Sequence, residues 1–459
     1  MLRTILTPTS VLVALVVTLA VLDGGVRAFN VAEATIAQIE AELSSGRLTC
    51  QQVIQLHLNR IAAYDKAGPR LNAVIALNQQ AIAQAQALDK SGGPQGRRLF
   101  CIPVAIKDNI DQLGYPTAAG SVALNSTFPS SSALLLQKLL DAGAIVVARV
   151  NMAELAMDGM NTNSSLGGQT LNSYNRLVTP TGSSGGTGTA IAASFAVIGI
   201  GSDTNGSIQN PSSVQSLVGL RSTQGLISSI GVFPMLDWQD VAGPMTRTVE
   251  DLARAMDVID AGSTWLRPAV PYSSMLDQKA LRGVRIGFLQ STIVASHSST
   301  TNRTTVPSQE VVANCKRTMD EFAQLGASVT LVHPNVSFFK PYMMYNSIDP
   351  QALRCAFAEE RSSWDYYFAT RTTPSSPIKS TAQMVAAMQR NPAEIPSIVR
   401  KVSQINMLGK PNCTGIPALG CIKFQYVCDR RCRPLHDVPA ATHTLTLALT
   451  LTHSFMRLQ

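Results

Sequence analysis

Two short turns of small residues, one on either side of a single apolar run, constrain this chain more than any other feature. Gly182-Ser183-Ser184-Gly185-Gly186 comes first, and Asp203-Thr204-Asn205-Gly206-Ser207 follows after a hydrophobic stretch. Glycine leaves backbone room, so several N–H groups can converge on one point in such a turn. A serine hydroxyl there is a candidate nucleophile, but it needs a base to take its proton, and the usual base is an imidazole. The chain has six histidines, and none lies between His57 and His297. A lysine is available instead, because Cys101-Ile-Pro-Val-Ala-Ile-Lys107-Asp108-Asn109 places Lys107 at the end of an apolar, strand-like run. Lysine ordinarily titrates near ~10.4 and is a cation at neutral pH. Burial beside Ile102, Val104, Ala105 and Ile106 opposes that charge, so a neutral Lys107 can receive a proton relayed through a serine.

Taken in order, these segments resemble the amidase signature family of serine hydrolases. That family's pattern is a Gly-Gly-Ser-Ser-Gly-Gly-Ser loop, then a Gly-Gly-Ser-Ile-Arg turn, with an Ile-Lys-Asp-Asn segment well before both. Here Ser183 lies 24 positions before Ser207 and 76 after Lys107, separations similar to the family's. Asn151-Met-Ala-Glu154-Leu, Asp240-Val-Ala-Gly243-Pro244-Met-Thr-Arg247 and Gly283-Val-Arg-Ile-Gly287 extend the likeness, which runs from about 31 to 333. The resemblance implies that Ser207 is the acyl-accepting nucleophile, Lys107 the base, and Ser183 the bridging serine, held by a cis peptide bond before Ser184. It implies an oxyanion site made by the N–H groups of Thr204, Asn205, Gly206 and Ser207, with Asp203 and Ser184 in support. No metal and no organic cofactor are implied, and the substrate that the resemblance implies is a small-molecule carboxylic amide.

Periodicity agrees with a layered α/β fold. Ala32 to Asp65 carries apolar residues at near-helical spacing, with Gly46 as a break, which predicts two helices. Helix is also expected from Ala81 to Leu88, over about 131–142, and from Gly185 through Ala196. Strands are expected at the Lys107 run, Ala144 to Arg149 and Ile198 to Gly201. A further strand–helix–strand unit is expected at Val284–Phe288, 309–325 and Ser328–Val332. Alternation of this kind predicts a sheet covered on both faces, and the resemblance implies the same: an α/β fold with a mixed central sheet wrapped by helices. Between 336 and 405 the likeness fades. Met343, Met344, Tyr345, Trp364, Tyr366, Tyr367 and Phe368 read there as ordinary packing, although relatives use that stretch to line the acyl pocket.

Three positions depart from the family pattern. Asn205 and Thr181 stand where glycine is usual, and Gln209 stands where arginine is usual. Asparagine tolerates positive φ best after glycine, so the turn at Asn205 can survive. If the missing arginine pairs with Asp203, Gln209 loses that charge-assisted bond and some rigidity behind Ser207. Asp203 and Asp240 also read simply as turn or cap residues.

The 459 residues, 45% of them apolar, suffice for one large domain. A net charge of +8 has little functional weight, because the only basic run is Arg430-Arg431-Cys432-Arg433, and no nucleic-acid partner is expected. Arg3, the apolar stretch Val11 to Leu22, and small residues up to Ala28 predict an export signal over 1–28, hence secretion; an uncleaved anchor is the alternative. After cleavage no stable membrane span is expected. Sequons at Asn125, Asn163, Asn302, Asn335 and Asn412 fit such a route, whereas the Asn205-Gly206-Ser207 sequon reads as accidental. The eight cysteines suggest no connectivity and no zinc site.

The expected organisation is therefore a signal at 1–28, an amidase-signature domain at 29–409 and an atypical Cys/Arg- and Thr/Leu-rich tail at 410–459. Relatives continue with a strand-rich segment that completes the sheet. This ending does not resemble it, so the fold is expected to be incomplete at its C-terminus, through a truncated or mis-spliced frame or, alternatively, a lineage-specific tail. The leading functional reading is a secreted amidase. The others are a catalytically impaired relative, the glutaminase subunit of a transfer-RNA-dependent amidotransferase, and a membrane-associated fatty-amide hydrolase. The oligomeric state is left open.

Overall fold

The structure is a computed structural model that describes residues 29–237, 239–260, 268–290, 296–298, 303–332 and 350–407. The expected signal at 1–28 and tail at 410–459 lie outside the described residues. Threonines open the first two helices, α1 (Ile36–Ser44) and α2 (Cys50–Tyr64). Thr35 and Thr49 each cap the third residue's N–H, while Gln38 and Gln52 reach back to the cap. Then follow β1 (Val74–Leu77), α3 (Ala81–Lys90), β2 (Pro103–Lys107), α4 (Leu134–Asp141), β3 (Ile145–Val150) and a small hairpin of β4 (Asn163–Ser164) and β5 (Gly168–Gln169). The serine turns frame α5 (Gly185–Ala192) and β6 (Ile198–Asp203), and the chain continues through α6 (Gln209–Val214), β7 (Val218–Gly219), β8 (Val241–Thr246) and α7 (Val249–Ile259).

Six strands form the central sheet in the order β1-β3-β2-β6-β8-β7. β2 runs parallel to both β3 and β6, whereas β1, β8 and β7 are antiparallel to their neighbours, so the sheet is mixed. Every residue of β2, β3, β6 and β8 is buried. Alternate side chains of a strand point to opposite faces, so complete burial requires cover on both. α5 ends earlier than periodicity predicts. Ser194 adopts φ +60°, and Phe195 N–H then closes back onto Ala190 O at 2.8 Å, so a left-handed cap turns the chain into β6.

A separate parallel pair, β9 (Arg285–Leu289) and a strand at Ser328–Val332, is linked through helix α8 (Gln309–Gln324), as expected. A hairpin at Ser296–Ser298 and Arg303–Thr305 lies between them in the chain. The region where the likeness fades is helical: α9 (Pro350–Arg371), α10 (Thr381–Arg390) and α11 (Pro396–Met407). Trp364, Tyr367 and Phe368 are buried there against Phe233, Met152 and Leu155, with the Phe233 and Tyr367 rings edge to face at 4.9 Å. These three side chains are therefore packing residues, Tyr366 is exposed, and Met343, Met344 and Tyr345 lie outside the described residues. Among the described residues no helix is long and apolar enough to cross a membrane. Cys50 and Cys101, both buried, form a disulfide that joins the start of α2 to the chain just before β2.

Buried polar groups bind this helical layer to the sheet domain. Asp111 accepts from Thr117 Oγ1 at 2.9 Å and from Tyr367 Oη at 2.5 Å, and it pairs with Arg371 at 3.0 Å. Glu394, ahead of α11, accepts from Ser121 Oγ at 2.8 Å and Ala123 N–H at 2.7 Å, and it faces Glu154. Burial, and then the neighbouring Glu394, push Glu154 well above the usual carboxylate range. The folded state thus keeps a proton that the unfolded chain releases above about pH 4.5, so this contribution to stability is full below that pH and is lost as pH rises. Glu154→Gln, which stays neutral, should melt roughly 2–4 °C above the parent at pH 8, with the gap closing towards pH 5 in calorimetry.

Candidate active site

Lys107 is the last residue of β2, at the end of the sheet where the parallel strands β2, β3 and β6 deliver their carboxyl termini. Such ends are where open α/β sheets gather their ligands. Register pairs Ile106 with Ile200, which brings Ser202 of β6 beside Lys107. Lys107 Nζ lies 2.7 Å from Ser183 Oγ, 2.9 Å from Ser202 Oγ and 3.3 Å from Ser202 O. The side chain is fully buried. Burial lowers its pKa to about 7, although the charges of Asp203 and Asp240 partly offset that effect. Lys107 and Ser183 are therefore in direct contact.

The serine turn is held by close backbone approach. A Cβ on Gly186 would sit 2.0 Å from Asn151 O, so the helix beginning there can approach Asn151 only with glycine at that position. The cis peptide bond is Gly182–Ser183, one place earlier than expected. Thr181, where the family has glycine, adopts φ +55°, a conformation that costs a β-branched residue about 1–2 kcal/mol. Ser184 joins the two turns: its Oγ donates to Ser202 O at 3.0 Å and its N–H to Ser207 O at 3.2 Å. Ser207 is only 6% exposed, and its carbonyl is tied to Ser184, the residue next to Ser183.

Asp203 organises the second turn. Its carboxylate accepts from Gly206 N–H and Ile208 N–H, both at 2.8 Å, and from Gln209 N–H at 3.4 Å. The turn reading of Asp203 is thus correct locally. Asp203 also pairs with Arg221 at 3.0 Å. The cation that position 209 lacks comes from Arg221 instead, so the expected loss of a charge-assisted bond does not occur. Positive φ falls on Gly206, at +97°, and not on Asn205, which is exposed. Thr204 is fastened from the other side: its Oγ1 donates to Asp240 Oδ1 at 2.5 Å, and its carbonyl accepts from Gln239 Nε2 at 2.6 Å.

Sequence reasoning missed Ser202, Asn109 and Arg221. Asn109 Nδ2 donates to Ser202 Oγ at 2.9 Å, and this bond helps position the hydroxyl that Lys107 meets. Strand pairing alone could have pointed to Ser202, had the β2–β6 register been known. No local signal marks Arg221. His57, on α2, bonds to Ser194 O at 3.2 Å, its Nε2 has no hydrogen-bond partner among the described residues, and it is lowered to about 3 by burial, so it stays neutral. Among the described residues no group of His, Cys, Asp or Glu is arranged to hold a metal.

A buried lysine against a serine, with a second serine turn alongside, is matched by family-level comparison: the profile described as Amidase covers residues 52–407. The chain belongs to the amidase signature family. It is similar to a glutamyl-tRNA(Gln) amidotransferase subunit of Lawsonia intracellularis (strain PHE/MN1-00), 36% identical over 260 residues, which is 55% of this chain and 53% of that one. The chain thus spans about half the length of the curated relatives it matches. Among solved structures it is similar to native peptide amidase from Stenotrophomonas maltophilia, with a TM-score of 0.73 and 30% identity over 86% of this chain and 79% of that one. An amidase family protein from Bacillus anthracis str. Ames gives a TM-score of 0.69 and 26% identity over 83% and 76% of the two chains.

Removing the Arg221 cation leaves Asp203 buried with only amide donors. Arg221→Ala should lower unfolding stability by about 2 kcal/mol, less than a fully buried pair because the arginine is 22% exposed. Gln209→Arg should change stability by less than about 0.5 kcal/mol in the parent but recover part of the loss in Arg221→Ala, as read by urea denaturation.

Proposed function

We propose that this chain hydrolyses a carboxylic amide through an acyl-enzyme on Ser207. The observation that carries this reading is the fully buried Lys107 Nζ at 2.7 Å from Ser183 Oγ, with a pKa of about 7. Neutral Lys107 takes the Ser183 hydroxyl proton as Ser183 takes that of Ser207, and Ser207 Oγ forms its bond to the amide carbon. Collapse of the tetrahedral intermediate breaks the C–N bond, and the proton returns through the same relay to the departing amine. Water then attacks the ester, giving the acid and restoring Ser207. The Gly206 N–H is committed to Asp203, so the oxyanion role falls to the amides of Thr204, Asn205 and Ser207.

The family-level match supports C–N bond hydrolysis, and the likeness in fold to peptide amidase, with 30% identity over 86% of this chain, supports an amide substrate. We therefore read a small-molecule or peptide amide as substrate, without a nucleic-acid partner. Export through residues 1–28, with glycans on exposed sequon asparagines such as Asn125 and Asn163, belongs to the same proposal, and the Cys50–Cys101 disulfide is consistent with an oxidising route. The glutaminase-subunit reading is favoured by the 36% identity to an amidotransferase component. It is separated by asking whether glutamine or an amidated peptide is turned over by the chain alone.

Fluorophosphonate labelling of the purified protein should mark Ser207, disappear in Ser207→Ala, and fall at least ~100-fold in Lys107→Ala at about pH 7.5, on the scale of a lost general base. Failure of a folded parent to react would support the impaired-relative reading. Because only neutral Lys107 accepts a proton, the labelling rate should rise with pH through a midpoint of about 7. A limb near the ordinary carboxylate pKa of about 4 would point to a carboxylate base and overturn the assignment.

A further inference from the structure

We propose that Asp240 is a positioning residue of the amidase site: its buried carboxylate holds Thr204 at the head of the nucleophile turn and adds a negative charge within electrostatic range of Lys107. The inference rests on the amidase reading above and adds a residue to it. Asp240 is 8% exposed. Its Oδ1 accepts from Thr204 Oγ1 at 2.5 Å, and its Oδ2 accepts from Met235 N–H at 2.7 Å and Leu236 N–H at 3.1 Å. Through Asp240 these bonds tie Met235 and Leu236 to the turn that ends at Ser207. Thr204 precedes the other oxyanion donors, so a shift of its main chain moves all of them.

The charges around the lysine give Asp240 its second role. Two carboxylates, Asp203 and Asp240, act on Lys107. Asp203, the larger of the two influences, is itself paired with Arg221 at 3.0 Å. Among the described residues Asp240 has no ion-pair partner, and its bonds come from a hydroxyl and two amides. Burial raises Asp240 to about 6, opposed by those three bonds and by the charge of Lys107. An anion favours the lysine cation, so Asp240 keeps Lys107 a stronger base than burial alone would leave. Removing that charge must move the lysine midpoint to lower pH.

The test combines the labelling rate of Ser207 across pH with titration of Lys107 by NMR of [ε-¹³C]lysine-labelled protein, in which Lys107→Gln identifies the resonance. The second readout needs no turnover. Asp240→Asn should lower the Lys107 midpoint by about one pH unit, move the acid limb of labelling by the same amount, and reduce the plateau rate about tenfold. Asp240→Glu, which retains the charge, should return the midpoint to the parent's value. Thr204→Val should reduce the plateau several-fold and Thr204→Ser should restore it, which tests the positioning half even if Asp240→Asn fails to fold. An unmoved lysine midpoint in folded Asp240→Asn overturns the electrostatic role, and an undiminished plateau in Thr204→Val overturns the positioning role. A parent that does not label, with a lysine midpoint that still moves in Asp240→Asn, refutes the amidase reading and supports the Asp240–Lys107 coupling.

Discussion

Exclusion of water and of any directly bonded carboxylate from one amine, that of Lys107, is the constraint on which the rest of the site depends. Lys107 leaves β2 between two parallel neighbours, and its polar contacts are the hydroxyl of Ser183 and the hydroxyl and carbonyl of Ser202. None of these can compensate a full positive charge as a carboxylate would, so desolvation outweighs the more distant Asp203 and Asp240 and draws the pKa down to about 7. A directly bonded carboxylate would have stabilised the cation and removed the base. The sheet therefore does more than carry the lysine: it sets which groups reach the amine, and so the protonation state on which the proposed relay relies.

The same sheet anchors the turns on either side. Just beyond Lys107, Asp108 is buried with Arg149, whose guanidinium lies 3.1 Å away and also donates to the carbonyls of Ile110 and Asp108 at 2.9 Å. This pair holds the chain where it leaves β2, while the Asp203–Arg221 pair does the same where it leaves β6. Each carboxylate is satisfied by backbone amides as well as by its arginine, which is the condition under which a buried pair is tolerable. Serine loop and nucleophile turn are then joined by Ser184, whose hydroxyl and N–H bond to Ser202 and Ser207 at opposite ends of the second turn.

Behind this frame the helices from 350 to 407 close the domain with an aromatic core and a few buried polar ties. Phe233 links that packing to the sheet, because its N–H bonds Asn109 O at 2.7 Å while its ring meets Tyr367 and Phe368. Asn109 in turn touches Ser202. A continuous set of contacts therefore runs from the helical layer to the hydroxyl beside Lys107.

Much of this was legible in the residues alone. The serine turns, the apolar run ending at Lys107, the two capped N-terminal helices and the strand–helix–strand unit of 285–332 are local patterns, in which spacing and glycine placement speak for themselves. What stayed hidden were partners distant in sequence whose types carry no special signature: Arg221 standing in for the cation absent at position 209, Ser202 beside the lysine, and Glu394 against Glu154. The likeness to a family led us to expect weakness behind Ser207, and the fold supplies the missing charge from a different strand connection. The sequence by itself determined that a lysine and two serines stand in the right order on an α/β frame, because periodicity and turn chemistry are local. Only the tertiary structure decided that the lysine's pKa is drawn down to about 7 and that Asp203 is paired, because desolvation and ion pairing depend on what surrounds a charge in space.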